Sequence, residues 1–366
     1  MTPPPVMESR VPPSPPDIGA RKDQHIDHVL RGAGIPAATT GLEHVRFEHD
    51  ALPELALDEI DLSATLLGLP LAGPFLISSM TGGPARAAAI NIHLAEAAQQ
   101  LGVALAVGSQ RIALRHGQAD GLGADLRRRA PGVPLLANLG AVQFIRGFGL
   151  EDARRAVEMI GADALILHLN PLQEAVQEGG DHDWRGVLKQ IAAVAAALPG
   201  RLVVKETGAG ISARVAARLR DAGVAAIDVA GAGGTNWGLV EGARATDPAR
   251  RQLAAAFAGW GISTARSIRN VAEAAPGVEI IGSGGIHDGL DAARAIRLGA
   301  GVVGQASGVL PAATVSAEAV AAHVALLLRQ LRLACFCTGS ADLAALRRAP
   351  LQDPVPANAS EPPPGR

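Results

Sequence analysis

Eight short apolar runs, separated by amphipathic or Ala-rich segments, constrain this chain more than any other feature. They are PFLISSM (74–80), VALAVG (103–108), PLLANLG (134–140), ALILHL (164–169), RLVVKE (201–206), AAIDVAG (225–231), EIIGSGG (279–285) and GVVGQA (301–306). The segments between them, at 85–101, 151–160, 184–198, 212–222, 264–274, 288–297 and 316–332, read as helices. Strands that are apolar throughout, rather than alternating, belong to a parallel sheet covered on both faces. Eight such units predict closure into a (β/α)₈ TIM barrel. An open doubly wound sheet is the rival, but no G-x-G-x-x-G follows the first strand into a helix.

The rest of the chain sets limits. With 366 residues, it suits one α/β barrel with insertions. Residues 1–17 and 348–366 are Pro-rich and read as disordered tails around a single domain, 18–347. Net charge is −2, so bulk charge does not point to nucleic acid. The two cysteines, Cys335 and Cys337, are too few for a disulfide framework and fit a reducing, cytoplasmic setting; we read them as buried structure. The N-terminus lacks a signal-peptide core, and no run reaches the ~18 uncharged apolar residues of a membrane helix. There is no Tyr, which removes phenol acids and oxyanion donors.

Polar residues collect at the ends of the strands: SSMTGG, GSQR, NLG, HLN, KE, AGAGGT and GSGG. Barrel enzymes build their sites there. The loops GSGGI (282–286) and GQAS (304–307), with AGAGGTNW (230–237), offer backbone N–H groups and a helix N-terminus near Asp288 to a phosphate. Lys205 ends an apolar strand. Alternation turns either Lys205 or Glu206 inward, unless the two form a solvated pair at the rim. In LHLNPLQE, His168 and Asn170 share a face, and Gln173 and Glu174 follow on the loop. This set could hold Mg²⁺, which prefers one or two carboxylates plus substrate phosphates. RKDQHI (21–26) and GSQR (108–111) place Arg21, Lys22 and Arg111 where an anion could be met, although from charge alone a solvated surface patch is the better reading of Arg21 and Lys22.

Together these motifs, with ANLGA, VKETGAGIS, GSGGIHDG and LACFCTGS, resemble type 2 isopentenyl diphosphate isomerase, the FMN-dependent kind, from about Arg21 to Ser340. The resemblance implies a soluble homo-oligomer, a tetramer or octamer. It implies Arg21, Lys22, Ser109, Gln110 and Arg111 on the substrate diphosphate, with Gln173 at the reacting carbons and His168 and Asn170 beside it. Ser78, Ser79, Met80 and Thr81 would line the flavin, with Ser109, Asn138 and Lys205 hydrogen-bonded to it. Thr235, Gly284, Gly285, Ile286, Ala306 and Ser307 would hold its ribityl-phosphate part, and Glu174 would bind Mg²⁺. NADPH would serve only to reduce the flavin, whose reduced ring is the implied acid–base group. The chain departs from the family pattern at Gln24, where an acid is common, at Ala230, where Ser is frequent, and at Ser307, where larger residues are common. Two alternatives stay open: an FMN oxidoreductase of the hydroxy-acid oxidase or IMP dehydrogenase type, and a non-enzymatic flavin- or phosphate-binding barrel.

Overall fold

The computed structural model describes residues 18–80, 85–117 and 121–352, with the side chains of 18–23, 85 and 116 left out. Two short strands, β1 (Ala64–Leu66) and β2 (Leu69–Leu71), form an antiparallel hairpin. Eight parallel strands follow: β3 (Phe75–Ile77), β4 (Ala104–Ala106), β5 (Leu135–Gly140), β6 (Ala164–Leu169), β7 (Leu202–Glu206), β8 (Ala226–Asp228), β9 (Glu279–Ser283) and β10 (Val302–Gln305). They close into a barrel in sequence order, with β10 pairing both β9 and β3. Each expected run contains one of these strands, so the barrel expectation holds and the open sheet is excluded.

Strand side chains alternate between two apolar layers. One parity (Phe75, Ile77, Leu105, Leu135, Leu165, Leu167, Leu202, Val204, Ile227, Val303) packs in the cluster shared with the surrounding helices. The other (Leu76, Ala104, Ala106, Leu136, Ile166, Val203, Ala226, Ile281, Val302) fills the barrel interior. Both faces are thus buried, which is why these strands are apolar at every position.

The hairpin was not foreseen. Its turn, Leu67–Gly68, has two consecutive positive φ values, 53° and 76°, the geometry of a tight two-residue hairpin loop. Leu66 and Leu71 join the interior cluster. The Leu67 N–H donates to Glu279 Oε2 at 2.9 Å, at the start of β9. The hairpin therefore closes the N-terminal floor of the barrel and leaves the C-terminal mouth as its open end.

Several further elements lay outside the expectation. Helix Ile18–Leu30 precedes the barrel, and helices Trp237–Arg244 and Pro248–Ala256 are inserted after β8. The barrel domain also extends past 347. Arg297 Nε donates to the Ala349 carbonyl at 2.7 Å, and Glu48 N–H to the Pro350 carbonyl at 3.0 Å. The order therefore runs through Gln352, and the tail boundary at 348 is corrected. Residues 1–17 and 353–366 lie outside the described residues. Helix Ala317–Phe336 is long and apolar enough by composition to cross a membrane; it carries Glu318, His323, Arg329 and Arg332 and packs along helices Ala85–Leu101 and Gly289–Arg297.

Candidate active site

The interior parity continues past the apolar layer, and there it turns polar. Two residues beyond Leu76, Leu136, Ile166, Val203, Ala226 and Ile281 stand Ser78, Asn138, His168, Lys205, Asp228 and Ser283. Gly108 and Gly304 complete the ring on β4 and β10. Above it opens a cavity of about 560 Å³, lined by all of these except the fully buried Asp228. Nearly every described residue expected at the site lines this cavity: Ser78, Ser79, Met80, Ser109, Arg111, Asn138, His168, Asn170, Gln173, Glu174, Lys205, Thr235, Gly284, Gly285, Ile286, Ala306 and Ser307.

Three expected residues are not described there, and one is corrected. Thr81 and the side chains of Arg21 and Lys22 lie outside the described residues. Gln110 does not line the cavity and is fully buried. Its Nε2 donates to the Ala156 carbonyl at 2.9 Å and its Oε1 accepts from Asn138 N–H at 3.0 Å. With both ends of the amide used, Gln110 braces Asn138 rather than contacting substrate.

Lys205 is the inward member of its pair. Its Nζ lies 3.3 Å from Asp228 Oδ2, both groups being buried. Ser283 Oγ donates to the other Asp228 oxygen and accepts from Ala230 N–H at 3.2 Å. Asp228 thus ties the cation of β7 to the start of the Gly-rich loop after β8. Glu206 turns the other way, and its Oε2 accepts from Thr207, Gly208 and Ala209 N–H at 2.5–2.6 Å. Burial nonetheless outweighs these bonds and raises its pKa to about 7.

Gln173 and Glu174 stand on a short helix, Pro171–Val176, not on a loop. They belong to a continuous polar ladder. Asn170 Nδ2 donates to Glu174 Oε1 and Gln173 Oε1, each at 3.1 Å. Gln173 Nε2 donates to Glu241 Oε1 at 2.9 Å. Glu241 also accepts from His25 Nε2 at 3.0 Å and from Arg244 Nη1 at 2.5 Å. Burial pushes the Glu241 carboxyl up, but the His25 and Gln173 hydrogen bonds and the Arg244 charge prevail and hold it at about 2. Arg244 Nε in turn donates to Gln24 Oε1 at 3.1 Å. The ladder links helix Ile18–Leu30, the inserted helix Trp237–Arg244 and β6. On the adjacent strands β5 and β6, His168 Nδ1 lies 2.8 Å from Asn138 Oδ1; the carbonyl oxygen can only accept, so Nδ1 carries the hydrogen.

The Gly loops meet backbone to backbone. A Cβ on Gly284 would stand 2.3 Å from the Gly231 carbonyl oxygen, and one on Gly285 2.4 Å from that of Gly233. Both glycines have positive φ, 98° and 70°. Among the described residues, no backbone or side-chain acceptor takes the N–H groups of Gly284, Gly285, Ile286, Ala306 or Ser307. Loop donors, rather than a helix end, are thus left unused beside the cavity: the helix Gly289–Arg297 is already capped by Asp288, and Asp291 takes the His287 N–H at 3.2 Å. Ser78 Oγ, Ser79 Oγ and Asn170 Oδ1 are buried without a hydrogen-bond partner. Such atoms at a cavity wall call for a ligand, and the donors present suit a flavin mononucleotide. The donor set also bears on a metal. Among the described residues, no three His, Cys, Asp or Glu gather as a preformed cage. Glu174, with Asn170 beside it, offers the single carboxylate that a diphosphate-bound Mg²⁺ accepts.

The ladder's key acid, Glu241, and the buried Asp228 were both missed from sequence. Asp228 had a signal, because it continues the inward parity of its strand. Glu241 had none, because it sits on an inserted helix far from any strand end.

Comparison with known proteins gives one answer. A family model described as FMN-dependent dehydrogenase matches residues 150–353. Isopentenyl-diphosphate delta-isomerase of Stutzerimonas stutzeri is 63% identical over 91% of this chain and 96% of that protein. The enzymes of that name from Cronobacter sakazakii and a Synechococcus species are 57% and 52% identical, over 92% and 90% of this chain and 97% and 94% of theirs. In fold, the chain is similar to a mandelate oxidase crystallised with (S)-2-phenylpropionate, with TM-score 0.62, 19% identity and coverage of 90% of this chain and 93% of that one. Within the FMN-dependent barrels, the chain belongs to the isopentenyl-diphosphate delta-isomerase family, in its type 2 form.

Proposed function

We propose that this chain interconverts isopentenyl diphosphate and dimethylallyl diphosphate, moving a C=C bond by one carbon. The observation that carries this reading is a single cavity with two unlike walls. On one side are Lys205, the unpartnered serines and the Gly-loop donors, which suit FMN. At the end of β6 are Glu174, Asn170 and Gln173, backed by Glu241, which suit a small diphosphate with Mg²⁺. Reduced FMN, as the family implies, would supply acid–base capacity at this mouth, where no Tyr is present to serve. Lys205, placed 3.3 Å from Asp228 Oδ2, would offset negative charge at the flavin's pyrimidine edge. Glu241 and Asn170 hold the Gln173 amide from either end, so its orientation toward the alkene is set before substrate arrives. Arg21, Lys22, Ser109 and Arg111 receive the diphosphate, with Glu174 on the metal. NADPH serves only to reduce the flavin. A cytoplasmic homo-oligomer, tetramer or octamer, is also proposed, with the exposed Leu326 and Leu333 of the last long helix as apolar surface for contact.

One anaerobic assay tests the reaction. Isopentenyl diphosphate, Mg²⁺ and NADPH are added to the flavin-loaded protein. Dimethylallyl diphosphate formed without stoichiometric NADPH loss is the expected result. Stoichiometric NADPH oxidation would indicate an oxidoreductase instead, and neither product nor turnover a binding barrel.

A further inference from the structure

Gln305, the last residue of β10, has the outward parity of its strand, since Gly304 faces the barrel interior. Its side chain is nonetheless engaged at both ends. Nε2 donates to the Ile286 carbonyl at 2.7 Å, and Oε1 lies 2.7 Å from His323 Nε2. A carbonyl can only accept, so the Gln305 nitrogen must face Ile286 and its oxygen must face a hydrogen on His323 Nε2. His323 is half-buried on the helix Ala317–Phe336, and burial lowers its pKa. The neutral ring with hydrogen on Nε2 satisfies this geometry. Gln305 is itself buried, its carbonyl accepts from Ser78 N–H at 3.0 Å, and a Cβ on Gly308 would lie 2.6 Å from its amide. The chain wraps closely around this one side chain.

Gln305 thereby joins the two rows of free N–H donors: Ile286 ends the row after β9, and Ala306 and Ser307 form the row after β10. We infer that Gln305, held by His323, is the positioning residue that fixes the spacing of the two donor rows and so selects a phosphate-bearing flavin over the same flavin without phosphate. The inference rests on the reading that these loops take the FMN phosphate. His323 does not line the cavity; Gln305 does, at the end of β10, and acts on the donors through its bond to the Ile286 carbonyl. The Ile286 carbonyl, if left unpaired in a buried loop, costs enough to move the loop.

The test is the ratio of riboflavin to FMN dissociation constants for the full chain stripped of flavin, read by flavin fluorescence. For Gln305→Met we expect the ratio to fall about tenfold, the scale of one buried hydrogen bond, while riboflavin affinity changes by less than about threefold. His323→Phe acts from the neighbouring helix, leaves every cavity residue in place, and should shift the ratio the same way by a smaller factor. His323→Gln, which keeps a donor at similar reach, should restore it. Equal weakening of both flavins in the two variants, or an unchanged ratio, would overturn the assignment. If the unmodified chain itself shows no preference for FMN over riboflavin, the phosphate reading of the loops fails first, a result distinct from failure of the Gln305 step.

Discussion

Lys205 and Asp228 show how one strand register sets chemistry at the residue scale. Both are the first inward residue beyond the apolar layer, so alternation alone brings them together across β7 and β8. A buried ammonium group costs several kcal/mol unless it is paired, and Asp228 is the acid in the ring that meets it. Asp228→Asn removes the charge but little of the volume. It should therefore destabilise the protein by about 3–5 kcal/mol, the cost of leaving one partner of a buried pair. Urea unfolding of the flavin-free chain measures this, and a loss under ~1 kcal/mol would show that Lys205 is not held by this pair. The same parity finds Ser78, Asn138, His168 and Ser283 from sequence once the strand is placed. The site was legible where a strand carries it and illegible where an inserted helix does, as with Glu241. Gln110 misled for a related reason: its motif is right, but its side chain points back into the wall.

At the scale of elements, the barrel strands were readable because burial on both faces makes each a continuous apolar run. The floor hairpin was not. Its strands are three residues each, ATL and LPL, and its turn uses Leu67 at positive φ where Gly or Asn is the usual signal. Helix Ile18–Leu30 is largely polar, and among its described side chains, 24–30, Ile26 alone is buried, so no strong period marks it. The hairpin's role is nonetheless specific. Leu66 is 1% exposed and seals the barrel interior from below, far from the catalytic mouth. Leu66→Ala should cost about 2–5 kcal/mol of stability through the cavity it leaves. Its kcat should stay within about twofold of the parent, since no mouth residue rests on the hairpin. Thermal unfolding paired with steady-state kinetics checks both halves, and a large fall in kcat at unchanged stability would contradict the division between floor and mouth.

For the whole molecule, two buried carboxyls set opposing pH dependences. Glu241 is held at about 2, below its usual 4.5, so its contribution is full above pH 4.5 and is lost as pH falls toward 2. Glu206 is raised to about 7, so the folded chain favours its protonated form. The stability linked to Glu206 is present below pH 4.5 and declines as pH rises through 7, by up to about 3 kcal/mol. The three N–H groups of residues 207–209 soften this cost without cancelling it, because the carboxylate is buried. Glu206→Gln keeps an oxygen for those donors and removes the titration. Unfolding free energy measured in denaturant from pH 4.5 to 7.5 should fall with pH for the parent chain and run flatter for the variant. The difference between the two slopes isolates Glu206, whatever offset the new amide adds at every pH. Identical slopes would mean that Glu206 is ionised in the folded protein across this range and that the loop donors outweigh its burial.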